Sequence, residues 1–456
     1  MNTSSVREQC RRQKATEVVG GLLSFTLYLY IALYLLVPYK PWDFPVSFHT
    51  PVLGFGLLLM AIQVAVFPSL WRKYLKPDIL LFSLMFLFFL VSSFLMHSRE
   101  FSRSVFQIYF ISFLSFLFVR TTIAGLNLDS VFVWINYYLI AAGALILLQV
   151  NFAGIFFISR FLGSPALGTG VAGWGFANGS TLAGGMLAWL FTISLARYVV
   201  SNGAKMTSFA WFMQLFSIAF GTAGVFYTFS RGAWLGVFCV VLVMAYAHIS
   251  GGFPKKYLFI PLAVVVTSVV VLGVFNHRED ANMRGKESFF IRLLQKPFAT
   301  VSADGSTNTR AVLWRYTLGL IKDTPAWGIG VGNFPRSYSK AYQKLAIPAN
   351  GVIDQNPDLT PHNSYLYYMA ELGVIPAFFL FLLVGWVVFK GFHSGYYSDA
   401  FPFWAGLVAV CVWVSTNDYA CERIFWIVLG VVSGLTHLRP KRLQTSPETD
   451  GILCPK

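Results

Sequence analysis

The chain has 456 residues, of which 56% are hydrophobic and only 12% are charged, and its formal net charge is +15. Soluble domains carry about 25% charged residues, so this composition excludes a soluble enzyme, a disordered protein and a disulfide scaffold. The abundance of Phe, Tyr and Trp is typical of aromatic belts at membrane surfaces. The basic residues lie between apolar runs and form no compact stripe, which argues against binding to nucleic acid.

Apolar runs of about 20 residues, the length that crosses a bilayer, predict about twelve spans. They lie at 17–38, 51–68, 78–97, 104–122, 131–152, 181–199, 208–229, 233–250, 257–276, 371–390, 401–417 and 424–438. The first run follows basic residues, as in a secretory signal, but its length and the lack of a small-residue cleavage site favour a retained span. The predicted fold is an all-α polytopic membrane protein.

The distribution of Lys and Arg predicts the orientation of these spans. With the N-terminus inside, the short inner segments hold seventeen basic residues and the short outer segments hold six. The long loop is discounted, because long loops cross the membrane regardless of charge. We therefore expect cytoplasmic termini, an N-terminal bundle of about nine spans at 1–276, a long outer loop at 277–361 and a C-terminal part with about three spans at 362–456.

The outer loop contains a predicted helix from Thr309 to Asp323, since apolar residues recur there at helical spacing and Pro325 follows. Arg310 and Trp314 lie four residues apart on one helix face, whereas Arg315 is turned away by roughly 140°. The two arginines therefore serve different purposes. An arginine beside a tryptophan also suits simple snorkelling at the membrane interface, and the sequence leaves both interpretations open.

The segment GIGVGNF follows, with glycines at 328, 330 and 332. Its glycine spacing and the absence of a preceding strand argue against nucleotide binding. We interpret it as a tight turn, in which glycine allows backbone angles closed to other residues.

A histidine follows in the segment DLTPHNSYLYYMAELG. We expect Thr360 to be an N-cap, Pro361 the first helical residue and His362 part of the first turn of a helix that enters the membrane. The positive helix terminus would keep the imidazole uncharged and able to accept a proton, as a general base requires. A histidine that only caps or packs at the interface is the alternative.

An arginine also lies in the short predicted outer turn between the seventh and eighth spans, at position 231 in FSRGAWLG. A guanidinium held there faces outer headgroups or a membrane-bound substrate, and it matches phosphate with paired hydrogen bonds. An ordinary interfacial anchor is the alternative for Arg231.

Three segments, read together, resemble the O-antigen ligase and polymerase superfamily of bacterial inner membranes. They are SRGAWLG at 230–236, NTRAVLWRYTLGLIKDTPAWGIGVGNF at 308–334 and PHNSYLYYMAELGVIP at 361–376, with a weaker match in FANGSTLAG at 176–184. The order, spacing and shared predicted outer side of these segments carry the resemblance.

The resemblance implies a GT-C-like, metal-independent glycosyltransferase that needs no cofactor and uses a glycan linked to undecaprenyl diphosphate. It implies that Arg231 and Arg310 engage the diphosphate and that His362 is essential, while Arg315 has no firm counterpart and stays a secondary candidate. Four further residues are expected to support the site: Trp314, Asn363, Gly330 and Gly332. Glu371 either orients His362 or has a structural role near the start of a span.

The expected function is that of an O-antigen ligase of the inner membrane, which moves a glycan to the lipid A core oligosaccharide. A repeat-unit polymerase of the same superfamily uses the same residues with another lipid-linked glycan as acceptor, and a protein-directed oligosaccharyltransferase is a further relative. A polysaccharide or lipid exporter is less favoured, because ionisable residues are nearly absent from the predicted spans.

Overall fold

The computed structural model describes residues 3–36, 49–66, 76–95, 103–151, 180–200, 207–228, 230–249, 305–345, 360–394, 398–417 and 423–436. These residues form α-helices joined by turns, with a short 3₁₀-helix at Ile123–Gly125. The α-helices are α1 (Thr3–Leu36), α2 (His49–Val66), α3 (Pro77–Leu95), α4 (Arg103–Thr122), α5 (Leu128–Asn151), α6 (Ser180–Val200), α7 (Ser208–Tyr227), α8 (Arg231–Ile249), α9 (Gly305–Asp323), α10 (Phe334–Leu345), α11 (Ser364–Leu372), α12 (Val374–His393), α13 (Ala400–Val414) and α14 (Arg423–Thr436).

Eight of these helices are long and apolar enough to cross a membrane, namely α1 to α7 and α12. Shorter apolar stretches lie in α8, α13 and α14, where the sequence predicts three more spans. The remaining predicted span, 257–276, lies outside the described residues, so the total of twelve stays a prediction. The protein is all-helical over the described ranges and multi-pass by helix length and composition.

The C-terminal helices pack among the N-terminal ones. Helix α14 packs along α4, α12 along α3, and α13 against both α6 and α8. Helix α6 is buried almost all round, as expected of a central helix without a polar face. Glycine permits the close approach of α8 to α13, because a Cβ on Gly236 would lie 2.6 Å from the Ala409 carbonyl oxygen. The C-terminal helices therefore help to hold α4, α6 and α8 in place.

Polar contacts join the helix ends that the charge pattern assigns to the inner face. Arg120 forms a buried ion pair with Asp78 at 2.8 Å, and the Ser433 hydroxyl donates to the same carboxylate. Breaking such a pair by removing one partner costs about 3–5 kcal/mol. The predicted outer ends meet at the opposite end of the bundle, where the Ser92 hydroxyl donates to the Trp327 carbonyl oxygen at 2.7 Å. The predicted inner ends and the predicted outer ends thus lie at opposite ends of the bundle, as expected of helices that cross a membrane in alternating directions. The Lys and Arg distribution is what assigns one of these ends to the cytoplasm.

Candidate functional site at the predicted outer helix ends

Helix α9 carries Arg310 and touches the segment that contains His362. It spans Gly305–Asp323, which confirms the helix predicted between 309 and 323. The indole Nε1 of Trp314 donates a hydrogen bond to the Pro361 carbonyl oxygen at 2.7 Å. Arg310, one turn before Trp314, is half-buried, whereas Arg315 is exposed. The Trp314 bond thus fixes the Arg310 side of α9 against the residue that precedes His362.

His362 lies just before a helix and has an unusual backbone conformation. Its φ is +50°, in the left-handed region that non-glycine residues rarely adopt. Among the described residues, it is the one non-glycine residue with positive φ. Such local strain costs about 1–3 kcal/mol and is concentrated at functional sites. The strain therefore marks His362 as a residue whose position the surrounding structure imposes.

The predicted start of this helix is wrong by several residues. Thr360 is not the N-cap; Asn363 is, because its Oδ1 accepts from the backbone N–H groups of Tyr365 and Leu366, each at 3.1 Å. The helix begins at Ser364, so His362 precedes the cap instead of lying in the first turn. The side-chain amide of Asn363 satisfies orphan donors that the sequence pattern assigned to Thr360.

The same helix also ends earlier than predicted. Gly373 interrupts it with φ of +88°, so α11 ends at Leu372 and the membrane span α12 begins at Val374 instead of residue 371. A Cβ at Gly373 would lie 2.2 Å from the Ala326 carbonyl oxygen. His362 thus lies ahead of a short separate helix and not on the helix that enters the membrane.

The turn after α13 joins this helix to the helix that begins with Arg231. The backbone carbonyl of Asn417 accepts from Ser364 twice, from the backbone N–H at 2.9 Å and from the hydroxyl at 2.6 Å. On its other side, Gly232 packs so tightly that a Cβ there would lie 2.0 Å from Thr416 Oγ1 and 2.7 Å from Asn417 Nδ2. Asn417 therefore lies between Gly232 and Ser364, the neighbours of the candidate residues Arg231 and His362.

The start of α6 adjoins the same place. A Cβ at Gly184 would lie 2.4 Å from the Cβ of Ser230 and 2.9 Å from the Thr228 hydroxyl oxygen. Gly184 ends the segment FANGSTLAG, and Ser230 precedes Arg231 in SRGAWLG. Two sequence segments of the family resemblance thus touch each other directly.

The segment GIGVGNF is the tight turn that the glycines predict. Gly328, Gly330 and Gly332 all have positive φ. The turn runs beside the end of α11, because Ile329 N–H donates to the Ala370 carbonyl at 2.8 Å and Gly330 N–H to the Glu371 carbonyl at 2.9 Å. The turn therefore connects α9 and α10 while bonding to the helix that follows His362.

Glu371 is fully buried under this turn. Its carboxylate accepts from the Tyr109 hydroxyl at 3.4 Å and from Phe334 N–H at 3.3 Å, and the Gly332 N–H and the Tyr367 hydroxyl also contribute. Burial raises the pKa of Glu371 to about 7, and these four donors oppose the shift. Its contacts favour the structural role over the orientation of His362, since they fasten the glycine turn and the first residue of α10.

No group of three or more His, Cys, Asp or Glu residues that could hold a metal ion occurs in the part of the chain that the structure describes. The candidate residues of the described part of the site are Arg231, Arg310 and His362.

Two residues at this site are not evident from sequence. The first is Asn417, which contacts both Ser364 and Gly232. The polar run Ser415–Asp418 between two apolar spans is the sequence signal that would have drawn attention to it. Tyr109 lies in an otherwise apolar span, and nothing in its sequence neighbourhood predicts its bond to Glu371.

These observations define a multi-pass membrane protein whose candidate residues lie at or beside the first turns of α8, α9 and α11, with contacts between the neighbours of these residues near the turn after α13. Residues 216–397 match the family model described as O-Antigen ligase. The match includes Arg231, Arg310 and His362, and it confirms the resemblance to the O-antigen ligase and polymerase superfamily. This family consists of glycosyltransferase-like enzymes with lipid-linked glycan substrates. A search of curated protein sequences finds no match to this chain.

Proposed function

We propose that the protein is an O-antigen ligase. In this proposal it transfers a glycan from undecaprenyl diphosphate to the lipid A core oligosaccharide at the periplasmic face of the inner membrane. The observation that carries the proposal is the junction of four chain segments: α9 bonds to Pro361, and Asn417 lies against both Ser364 and Gly232. The contacting residues are close in sequence to the candidates: Trp314 is four positions from Arg310, Gly232 is next to Arg231, and Pro361 and Ser364 flank His362 within two positions.

Two guanidinium groups suit the leaving group of this reaction. As the bond from the sugar carbon to the phosphate oxygen breaks, negative charge develops on the diphosphate, and Arg231 and Arg310 would stabilise it through paired hydrogen bonds. A fixed donor at such a position contributes about 10²- to 10³-fold to the rate. Because the sugar diphosphate already has a good leaving group, charge stabilisation is the main requirement.

His362 supplies the complementary step. Its imidazole would take the proton from the attacking sugar hydroxyl as the new glycosidic bond forms, a contribution of about 10²- to 10⁴-fold. The left-handed conformation of His362 and the Asn363 cap that follows it fix the backbone from which the imidazole projects. This constraint supports a role that depends on orientation.

The test compares variants at the site with matched variants elsewhere. We expect His362→Ala to abolish glycan transfer in membranes while the protein remains inserted. The control is His393→Ala, because His393 lies at the far end of α12, where its Nδ1 contacts the Phe389 carbonyl oxygen at 2.9 Å. Retained transfer in His362→Ala would remove the general-base assignment.

The arginines are tested by conservative substitution. Arg231→Lys and Arg310→Lys keep the charge but lose the paired geometry, so we expect transfer to fall well below the wild-type rate in each. Arg197→Lys is the control, since Arg197 pairs with Asp129 at 2.8 Å and with Asp399 at 3.3 Å at the predicted inner ends. Near-normal turnover in both site variants would contradict the diphosphate assignment.

Glycan profiling of a strain that lacks the protein separates a ligase from a repeat-unit polymerase. We expect full-length glycan stranded on the lipid carrier and a lipid A core without it. Single repeat units attached to the core would identify a polymerase instead. An exporter predicts a third outcome, the accumulation of finished lipid or glycan on the cytoplasmic side.

A further inference from the structure

A large cavity lies on the side of the bundle between α1 and α5. Its volume is about 790 Å³, and it extends inward from the bundle surface to Trp189 on α6 and Phe403 on α13. Large apolar side chains with exposed faces line its outer part, among them Phe25 on α1 and Trp134 on α5. The cavity therefore opens on a flank of the protein that faces lipid if these helices span the membrane.

The lining is uncharged over the part of the chain that the structure describes, because none of the described lining residues is Lys, Arg, Asp, Glu or His. Two of its polar groups already have partners within the protein: the Tyr28 hydroxyl donates to the Asn127 carbonyl at 3.0 Å, and the Tyr138 hydroxyl to the Leu35 carbonyl at 3.2 Å. These bonds tie α1 to the start and the middle of α5. Such a lining favours hydrocarbon and offers no counter-ion to a phosphate.

The cavity and the candidate active site lie at different levels of the bundle. The polar end of the cavity is formed by Gly125, Asn127 and Ser130, at the predicted inner ends of α4 and α5. The proposed diphosphate site surrounds Asn417 at the opposite, predicted outer ends. A lipid whose head lies beside the Gly125–Ser130 turn therefore belongs to the leaflet on the predicted cytoplasmic side.

We propose that this cavity binds the acyl chains of a phospholipid from that leaflet. An apolar protein cavity of about 150 Å³ accommodates benzene, which corresponds to about 25 Å³ per carbon atom. At that density, the cavity holds roughly 30 carbon atoms, close to the two acyl chains of one phospholipid. The phospholipid head lies outside the cavity, beside the uncharged polar groups of Asn127 and Ser130.

The test fills the cavity and measures retained lipid. Ala32 and Ala141 both line it, so Ala32→Trp and Ala141→Trp place an indole where the acyl chains would lie. Displacing as little as two methylene groups should weaken binding about tenfold. The matched control is Ala61→Trp, because Ala61 is exposed on α2 and is not part of the lining.

The full-length protein is purified in detergent, and its lipids are measured by native mass spectrometry and by extraction. We expect phospholipid to remain on the wild type and on Ala61→Trp and to be lost from both cavity variants. Added phosphatidylglycerol should restore the bound species to the wild type but not to the variants. Thermal unfolding of each variant verifies that it is folded before the comparison is made.

Three results would overturn this proposal. The first is equal phospholipid retention in the folded cavity variants, and the second is a wild-type protein that retains no lipid because another part of the chain fills the cavity. The third is retention of a polyprenyl lipid in place of phospholipid. The readout does not depend on glycan transfer, so failure of this proposal and failure of the ligase assignment are distinguishable.

Discussion

The hydrogen bond from Trp314 to Pro361 allows a sharp test of how the site is held together. Trp314→Phe keeps an aromatic ring on α9 but removes the donor that bonds the Pro361 carbonyl oxygen at 2.7 Å. A typical protein hydrogen bond contributes about 0.5–1.5 kcal/mol, which corresponds to roughly a 2- to 12-fold change in rate if the whole bond serves to position His362. A shift of the histidine by about 1 Å would raise the loss toward 10²-fold.

The assay is transfer from an undecaprenyl diphosphate-linked glycan by purified protein in lipid vesicles, with thermal unfolding measured in parallel. The control is Trp404→Phe, because Trp404 makes a comparable bond to the Val388 carbonyl at 2.8 Å, near the predicted inner ends of α12 and α13. We expect the control to lose stability with little loss of transfer, since Trp404 is deeply buried. Unchanged transfer in Trp314→Phe, or equal losses in both variants, would refute the reasoning.

Three further substitutions test the supporting structure. Gly232→Val drives a side chain into Thr416 and should cost about 1–3 kcal/mol of stability, together with a loss of glycan transfer as α8 is displaced. Gly373→Ala adds both strain at positive φ and a clash with the Ala326 carbonyl oxygen, so its melting temperature in detergent should fall clearly. Glu371→Gln should remove a pH dependence of stability. Because burial raises the pKa of Glu371 from 4.5 to about 7, the folded protein binds this proton more readily, and wild-type stability should rise by up to about 3 kcal/mol as the pH falls from 7 toward 4.5.

Each of these predictions has a contradicting outcome. The glycine controls are Gly385→Val and Gly319→Ala, since an added Cβ meets no atom within 4 Å at either position. If Gly232→Val and Gly373→Ala behave like these controls, the close contacts are not tight in the protein. For Glu371→Gln, the melting temperature is measured across the same pH range as for the wild type. If the variant shows the same pH dependence as the wild type, Glu371 is not the group responsible for it.

The helices could be predicted from sequence where the signal is local. Apolar runs predict the spans, and the spacing of apolar residues around Leu313 and Leu320 predicts α9. The glycine turn at 328–332 also follows from local conformation, since positive φ favours glycine. These features depend on neighbouring residues, so the sequence alone carries them.

The cap and the break around α11 were not predictable in the same way. Thr360 and Asn363 are both good N-cap residues, and the helix that Asn363 caps begins at Ser364, whose backbone N–H bonds to the Asn417 carbonyl about fifty residues away in sequence. Gly373 resembles any glycine near the start of a span until the Ala326 carbonyl lies against it. Both features are decided by tertiary contacts, which no local pattern records.

In the candidate site, too, the sequence predicts local features but not tertiary contacts. The residue types and family motifs select Arg231, Arg310 and His362, but they do not say which contacts bring their segments together. The structure supplies Trp314–Pro361 and Asn417–Ser364 as those contacts. It also gives Glu371 a set of donors, Gly332, Tyr367, Phe334 and Tyr109, that the sequence did not indicate.

A cryo-electron microscopy map of the full-length protein bound to undecaprenyl diphosphate would test the central claim most directly. We predict density for the diphosphate between the guanidinium groups of Arg231 and Arg310, with the His362 imidazole facing the space that the transferred sugar would occupy. Diphosphate bound away from these three side chains, or a bound state in which they remain apart, would contradict the account.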